Sequence, residues 1–215
     1  MPESIKKRAT IGAIWAAVDR FGIVLLQFVI NIVLARLLTP EDFGCIGMIT
    51  IFVAVSQTLI DGGFGSALIQ KKDATQQDFS TIFFWNILFS GFLYVILFSA
   101  SPSIAAFFRM PQLTDILRVL GIVLLTNAFG LVQKVKLRKQ LDFRKIAISS
   151  IGSNAIAAVI AIVMAHNGFG VWSLVWMQLF TSVIFGIFLW ILAKWYPSLI
   201  FSLDSLKRLF GYGGY

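Results

Sequence analysis

Residues 171–193, VWSLVWMQLFTSVIFGIFLWILA, run for 23 positions without one charged side chain. At 1.5 Å per residue such a run makes a helix of ~35 Å, long enough to cross the ~30 Å hydrocarbon layer of a bilayer. Five more stretches read in the same way, at about 11–38, 43–69, 80–107, 113–133 and 146–165. Together they predict an all-α integral membrane protein of six transmembrane helices. Composition points the same way: 58% of the 215 residues are hydrophobic, only 13% are charged, and mean hydropathy is +0.86. A soluble domain carries roughly 25% charge, so this chain lacks the polar surface to cover itself in water. Lipid accepts only helices or closed barrels, because backbone groups there find no water. A barrel would show alternating segments of ~10 residues, not continuous apolar runs.

Helix-start chemistry marks several of these spans. Thr39-Pro40-Glu41-Asp42 offers an N-cap hydroxyl, a proline at the first helical position and acids in the first turn. Thr75-Gln76-Gln77-Asp78 has the form of a capping box. Met110-Pro111 restarts the chain before the fourth span, and Gly168 and Gly170 loosen the turn before the sixth.

The formal charge of +8 is distributed by position. Fourteen of the 18 basic residues fall in four segments on one side: Lys6, Lys7, Arg8; Lys71, Lys72; Lys134, Lys136, Arg138, Lys139, Arg144, Lys145; and Lys194, Lys207, Arg208. Cationic loops stay in the cytoplasm, which predicts both termini there and argues against nucleic acid as the partner of the positive charge. The apolar stretch after Arg8 is too long for a cleavable signal peptide, and no small-residue cleavage site follows it. The single cysteine, Cys45, lies in an apolar run and reads as a packed small residue.

Polar side chains at membrane depth are costly and are functional candidates by default. Arg20, Gln27 and Asn31 fall on one face of the first span, with Asp19 about 100° to the side. Thr50, Gln57 and Asp61 repeat that spacing on the second. If the two spans are antiparallel neighbours, Arg20 and Asp61 reach similar depths, which predicts a shared hydrated cleft where Arg20 pairs with Asp61 or Asp19. Asn86, Asn127, Asn154 and Gln178 stand singly on four spans and read as interhelical hydrogen-bonding groups. Arg118 reads as interfacial, Arg36 as snorkelling, and His166 as solvated in an outer turn. Gly62, Gly63 and Gly65 either loosen the helix after Asp61 or allow close packing. No phosphate-binding loop, metal-ligand spacing or second histidine appears, so neither a nucleotide cofactor nor a metal is expected and energy coupling would draw on an ion gradient or the membrane potential.

After Lys194, Trp195-Tyr196-Pro197 reads as an interfacial turn and Asp204–Phe210 as the capped start of a further helix. The expected organisation is therefore a six-helix lobe over 1–193, with 194–215 a cytoplasmic connection and the start of a seventh span.

The strings ARLLTPEDFG at 35–44 and DGGFGSALIQ at 61–70 resemble the bacterial Wzx-type polysaccharide flippases of the multidrug/oligosaccharidyl-lipid/polysaccharide exporter superfamily. The resemblance runs through the whole chain. It implies one lobe of a MATE-like transporter of two six-helix lobes around a central cavity, the second lobe lying outside this sequence. It implies alternating access for undecaprenyl-pyrophosphate-linked oligosaccharide at the bacterial inner membrane, with proton or sodium coupling in some members. Partners would be membrane lipids, the lipid-linked oligosaccharide, a polysaccharide polymerase and glycosyltransferases. Arg20 is the best match to a cavity cation. The basic stretch 134–145 then has two readings. It is either a topology determinant near anionic headgroups, or an amphipathic surface helix whose Lys134, Lys136, Arg138 and Lys139 guide the pyrophosphate to the entrance.

Two other classes compete. A drug or cation antiporter of the same superfamily would favour buried acids and aromatics over a cationic cavity. A membrane-embedded enzyme of envelope assembly would need a large outer loop, and the predicted outer loops are a few residues long.

Overall fold

The computed structural model describes residues 2–62, 64–71 and 73–206, with side chains from residue 10 onward. Among these described residues seven α-helices follow in order: α1 Pro2–Ala35, α2 Pro40–Asp61, α3 Phe64–Gln70, α4 Gln76–Phe107, α5 Leu113–Lys139, α6 Phe143–His166 and α7 Val171–Ala193. With α2 and α3 counted as one crossing, six segments are long and apolar enough to span a bilayer.

The predicted starts form as the chemistry requires. The Thr39 side chain accepts from the Asp42 amide while the Asp42 carboxylate accepts from the Thr39 amide at 3.0 Å, closing a capping box with Pro40 at the first helical position. Thr75 and Asp78 repeat it at α4. Gly170, at φ +53, makes the turn into α7 in a conformation that side-chain-bearing residues rarely adopt.

Three features depart from the sequence reading. First, the second crossing is broken. Gly62 takes the left-handed conformation (φ +39) and its amide closes on the Thr58 carbonyl at 3.1 Å, so α2 ends at Asp61 and α3 resumes at Phe64. Second, α5 continues six residues past the expected boundary, through Lys139. The stretch 134–145 is thus the last turns of α5, a tight turn and the start of α6, not a separate surface helix. Lysine and arginine are good helix formers and their charge is favoured at a helix C-terminus. Third, α1 lies along α6 and α2 along α5, so α1 and α2 are not packed side by side.

The centre of the bundle is α5, which packs against α4 and α7 and is touched by α2, α3 and α6. In lipid, apolar burial gives helices little reason to associate, so close approach at small residues does the work. At Gly130 an added Cβ would lie 3.6 Å from the Gly186 Cα of α7. At Gly121 it would lie 2.8 Å from the Tyr94 ring of α4, and at Gly12 on α1 it would meet the Phe143 ring of α6 at 2.9 Å. Ile30, Leu34 and Leu38 continue the α1 seam against Ala158, Ala165 and Leu174.

Beyond α7 the chain forms a strap across the basic end. Trp195 is buried among Phe64, Phe79, Phe83, Val132 and Val135. Its indole N–H donates to Gln76 Oε1 at 2.6 Å, and Gln76 Nε2 donates to the Tyr196 carbonyl at 2.8 Å. The Ser198 and Ser202 amides then donate to Ser80 Oγ and Thr81 Oγ1 on the first turns of α4. Underneath, the buried Asp78 accepts from Lys71 Nζ at 2.6 Å, from the Thr75 amide at 2.9 Å and from the Ser205 hydroxyl. One carboxylate therefore ties the residue after α3, the start of α4 and the end of the strap. The expected seventh span falls mostly on residues 207–215, outside the described residues.

A polar cleft beside the broken helix

Four elements enclose a cleft of about 450 Å³: α2 through Gln57 and Asp61, α3 through Gly65, Ser66 and Ile69, α5 from Thr126 to Arg138, and α7 through Ser182, Phe185 and Gly186. It forms because α2 stops at Gly62 and because α5 and α7 present small residues, Gly130 and Gly186, where large ones would fill the space.

A chain of side-chain hydrogen bonds crosses its inner wall. Gln57 Nε2 donates to Asp61 Oδ1 at 3.2 Å, and Asn127 Nδ2 donates to Gln57 Oε1 at 2.9 Å. The Ser182 hydroxyl donates to Asn127 Oδ1 at 2.6 Å and lies 2.5 Å from Thr126 Oγ1. Asn127 is the hub, since it bonds from α5 to both α2 and α7. Replacing it by leucine strands Gln57 Oε1 and removes one of the two partners of the Ser182 hydroxyl, which keeps Thr126 Oγ1. A buried polar group left without a partner costs ~1–3 kcal/mol. Thermal unfolding in detergent should therefore show Asn127→Leu melting lower by ~2–12 °C; an unchanged melting temperature would remove the network from the account of the cleft.

Charge in the cleft comes from α5. Lys134 and Arg138, one turn apart, both line it. The Lys134 ammonium lies 5.5 Å from the centre of the Phe185 ring, and the acids whose field reaches it are Asp61 and Asp19. Asp61 needs such a cation. It stands at the C-terminus of α2, where the helix dipole repels a carboxylate. Asp19 has one carboxylate oxygen buried without a hydrogen-bond partner.

The expected site residues thus divide. Gln57 and Asp61 line the cleft. Arg20, Gln27 and Asn31 lie exposed on α1 and Thr50 is exposed on α2, none of them in this cleft. No ion pair joins Arg20 to Asp19 or Asp61; the cation placed among those acids is Lys134. The reason is the packing of α1 on α6, which separates the two spans that depth alone would align. The four basic residues of α5 divide too. Lys134 and Arg138 face the cleft. Lys139 donates to the Leu68 and Lys71 carbonyls and so caps α3, and Lys136 lies 5.7 Å from the Trp195 ring. Those two hold structure together. Among the isolated amides, Asn86 and Asn154 donate to carbonyls of their own helices. Arg118 donates to Ser101 Oγ at 3.2 Å and stacks on Phe98. Thr126 and Ser182 carry little signal in the sequence, no more than a hydroxyl four residues ahead of a glycine in an apolar run. Among the described residues no cluster of three or more His, Cys, Asp or Glu side chains is placed to hold a metal ion.

A family profile described as "Polysaccharide biosynthesis protein" matches residues 33–215, which takes in every element lining this cleft. The chain belongs to this polysaccharide biosynthesis protein family. Among relatives, it is 32% identical over 214 residues to the teichuronic acid biosynthesis protein TuaB of Bacillus subtilis, covering 99% of this chain and 44% of TuaB. It is 29% identical to the succinoglycan biosynthesis transport protein ExoT of Rhizobium meliloti, covering 91% of this chain and 40% of that protein. It is 24% identical to the lipopolysaccharide biosynthesis protein WzxC of Escherichia coli, covering 76% and 33%. The polysaccharide biosynthesis chain described here thus spans less than half the length of these relatives. No solved structure matches it.

Proposed function

We propose that this chain forms one lobe of a transporter that flips undecaprenyl-pyrophosphate-linked oligosaccharide across the bacterial inner membrane by alternating access. The observation that carries the reading is a polar, cation-bearing cleft inside a bundle that otherwise faces hydrocarbon. Such polarity at membrane depth is expensive unless it serves a polar passenger. Two cations, Lys134 and Arg138, against one lining acid, Asp61, suit an anionic headgroup better than the cationic drugs of an antiporter. The names of ExoT and WzxC, a transport protein and a lipopolysaccharide biosynthesis protein, support the same class.

The exposed stripe of Arg20, Gln27 and Asn31 on α1 belongs to this reading. An arginine facing lipid at the middle of a span costs ~2.5–3.5 kcal/mol or more. The stripe therefore looks into a water-filled central cavity completed by the remainder of a longer protein. The basic ends of α5 and α7 and the start of α6 lie in the cytoplasm, as the positive-inside bias directs. Coupling to a proton or sodium gradient fits the half-buried Asp19 and the exposed Asp61, the acids nearest Lys134.

The intact protein, reconstituted in vesicles with a fluorescent lipid-linked oligosaccharide, tests the proposal. Protein-dependent loss of the label's protection from an external reagent or glycosidase is the expected result. Vesicles that leave the lipid-linked sugar on its original leaflet would overturn the flippase reading.

A further inference from the structure

Beside the cleft, on the other flank of the α5–α7 seam, lies a second hollow of about 360 Å³. Its lining is almost wholly apolar and includes Phe129, Ile187, Trp190 and Ile191; Phe129, Ile187 and Ile191 are all exposed on the outer face of the bundle. The two hollows share Thr126, Ser182 and Gly186. On α5, Phe129 lines the outer groove while Gly130 and Lys134 line the cleft, and the three shared residues stand between the two hollows. Thr126 sits ~20 Å along the helix from Lys139, near the middle of the hydrocarbon layer. Trp190 lies in the last turn of α7, with its indole N–H donated to the Phe129 carbonyl at 2.9 Å.

We infer that the outer groove is the seat of the hydrocarbon chain of the lipid-linked substrate, held there while its phosphate headgroup occupies the cleft. The inference rests on the transport reading above and deepens it. Two observations choose the occupant. An apolar groove that opens on the bilayer is filled by hydrocarbon, since a void there forfeits dispersion contacts. The wall it shares with a cleft carrying Lys134 and Arg138 asks for a chain attached to an anion. A single groove along a single seam takes one chain, which suits a polyprenyl phosphate better than a two-chain phospholipid. Gly186 keeps the partition thin: a Cβ there would meet nothing closer than the Thr126 carbonyl at 3.8 Å, an ordinary contact. Alanine therefore fits at this position, whereas leucine projects into the space that joins the hollows.

The test places a photoreactive phenylalanine analogue at Ile187 in the intact protein, in cells that make the lipid-linked glycan. The same analogue at Val159, exposed on α6, is the control. After irradiation, mass spectrometry of the adducts should show the polyprenyl phosphate at position 187 at least about tenfold above position 159, the enrichment that ~1.4 kcal/mol of preference gives. Gly186→Leu should abolish that enrichment and Gly186→Ala should retain it. Adducts at 187 that are only phospholipid, or carrier adducts equal at the two positions, overturn the inference; neither depends on how the Gly186 variants fold. The vesicle assay reads the transport function separately, so a protein that flips lipid-linked sugar yet captures only phospholipid at 187 refutes the groove and leaves the transporter standing.

Discussion

Replacing Asp78 by alanine should lower the stability of the bundle by ~3–5 kcal/mol, the usual cost of removing one member of a buried, hydrogen-bonded charge pair. Asp78 is 1% exposed, and the variant leaves Lys71 beside a cavity with no counter-charge. It also opens the capping box at the start of α4 and frees the Ser205 end of the strap. Denaturation of the intact protein in mild detergent reads the loss. Limited proteolysis adds a second readout, because release of the strap should expose the chain near Leu199 to cleavage. Asp78→Asn keeps the shape and two of the acceptor contacts, and should fall between the wild type and alanine. A variant with wild-type stability and an uncleaved strap would show that this carboxylate is not the tie described.

The second large effect falls on transport rather than stability. Lys134→Gln leaves a side chain of similar reach but removes the ammonium from between Asp61, Asp19 and the cleft. On the proposed function the flipping rate should drop at least tenfold, ~1.4 kcal/mol of lost stabilisation, with normal amounts of protein in the membrane. Because Asp61 then loses one of the two cations that share its cleft, Lys134→Gln combined with Asp61→Asn should recover part of the loss. Arg20→Gln is a useful comparison. Its side chain lies outside the cleft, so its effect should add to that of Lys134→Gln instead of merging with it. Full activity in Lys134→Gln would remove the cation from the mechanism.

The sequence and the structure agree where the physics is local. The six crossings follow from runs such as 171–193, whose apolar length leaves no alternative in lipid. The starts at Thr39 and Thr75 follow because a hydroxyl three residues ahead of an acid satisfies amides of its own turn. Neither needs knowledge of a neighbour. The site was only half legible for the opposite reason. Periodicity correctly put Gln57 and Asp61 on one face of α2, yet it is silent on what that face meets. Taking α1 as the neighbour led to Arg20. The true neighbour is α5, and its contribution, Asn127 and Lys134, looks in sequence like a lone amide and part of a basic connection. Lys136 and Lys139 show the same limit: four clustered cations look alike in sequence, and only packing separates the two that face the cleft from the two that hold α3 and the strap. The break at Gly62 was one of two readings of the glycines after Asp61. The left-handed turn selects it, although at Gly65 close packing also operates, since a Cβ there would lie 3.4 Å from a Val135 methyl.

The packing of α1 on α6 also governs how the protein is made. During synthesis α1 leaves the ribosome before α6, and the surface that receives it does not exist until α6 is translated, roughly a hundred residues and ~5–20 s later. Through that interval a helix bearing Asp19, Arg20, Gln27 and Asn31 has no partner from its own chain. The insertion machinery must shelter it, or the helix must wait at the edge of the lipid, and the lobe closes only when its penultimate crossing arrives.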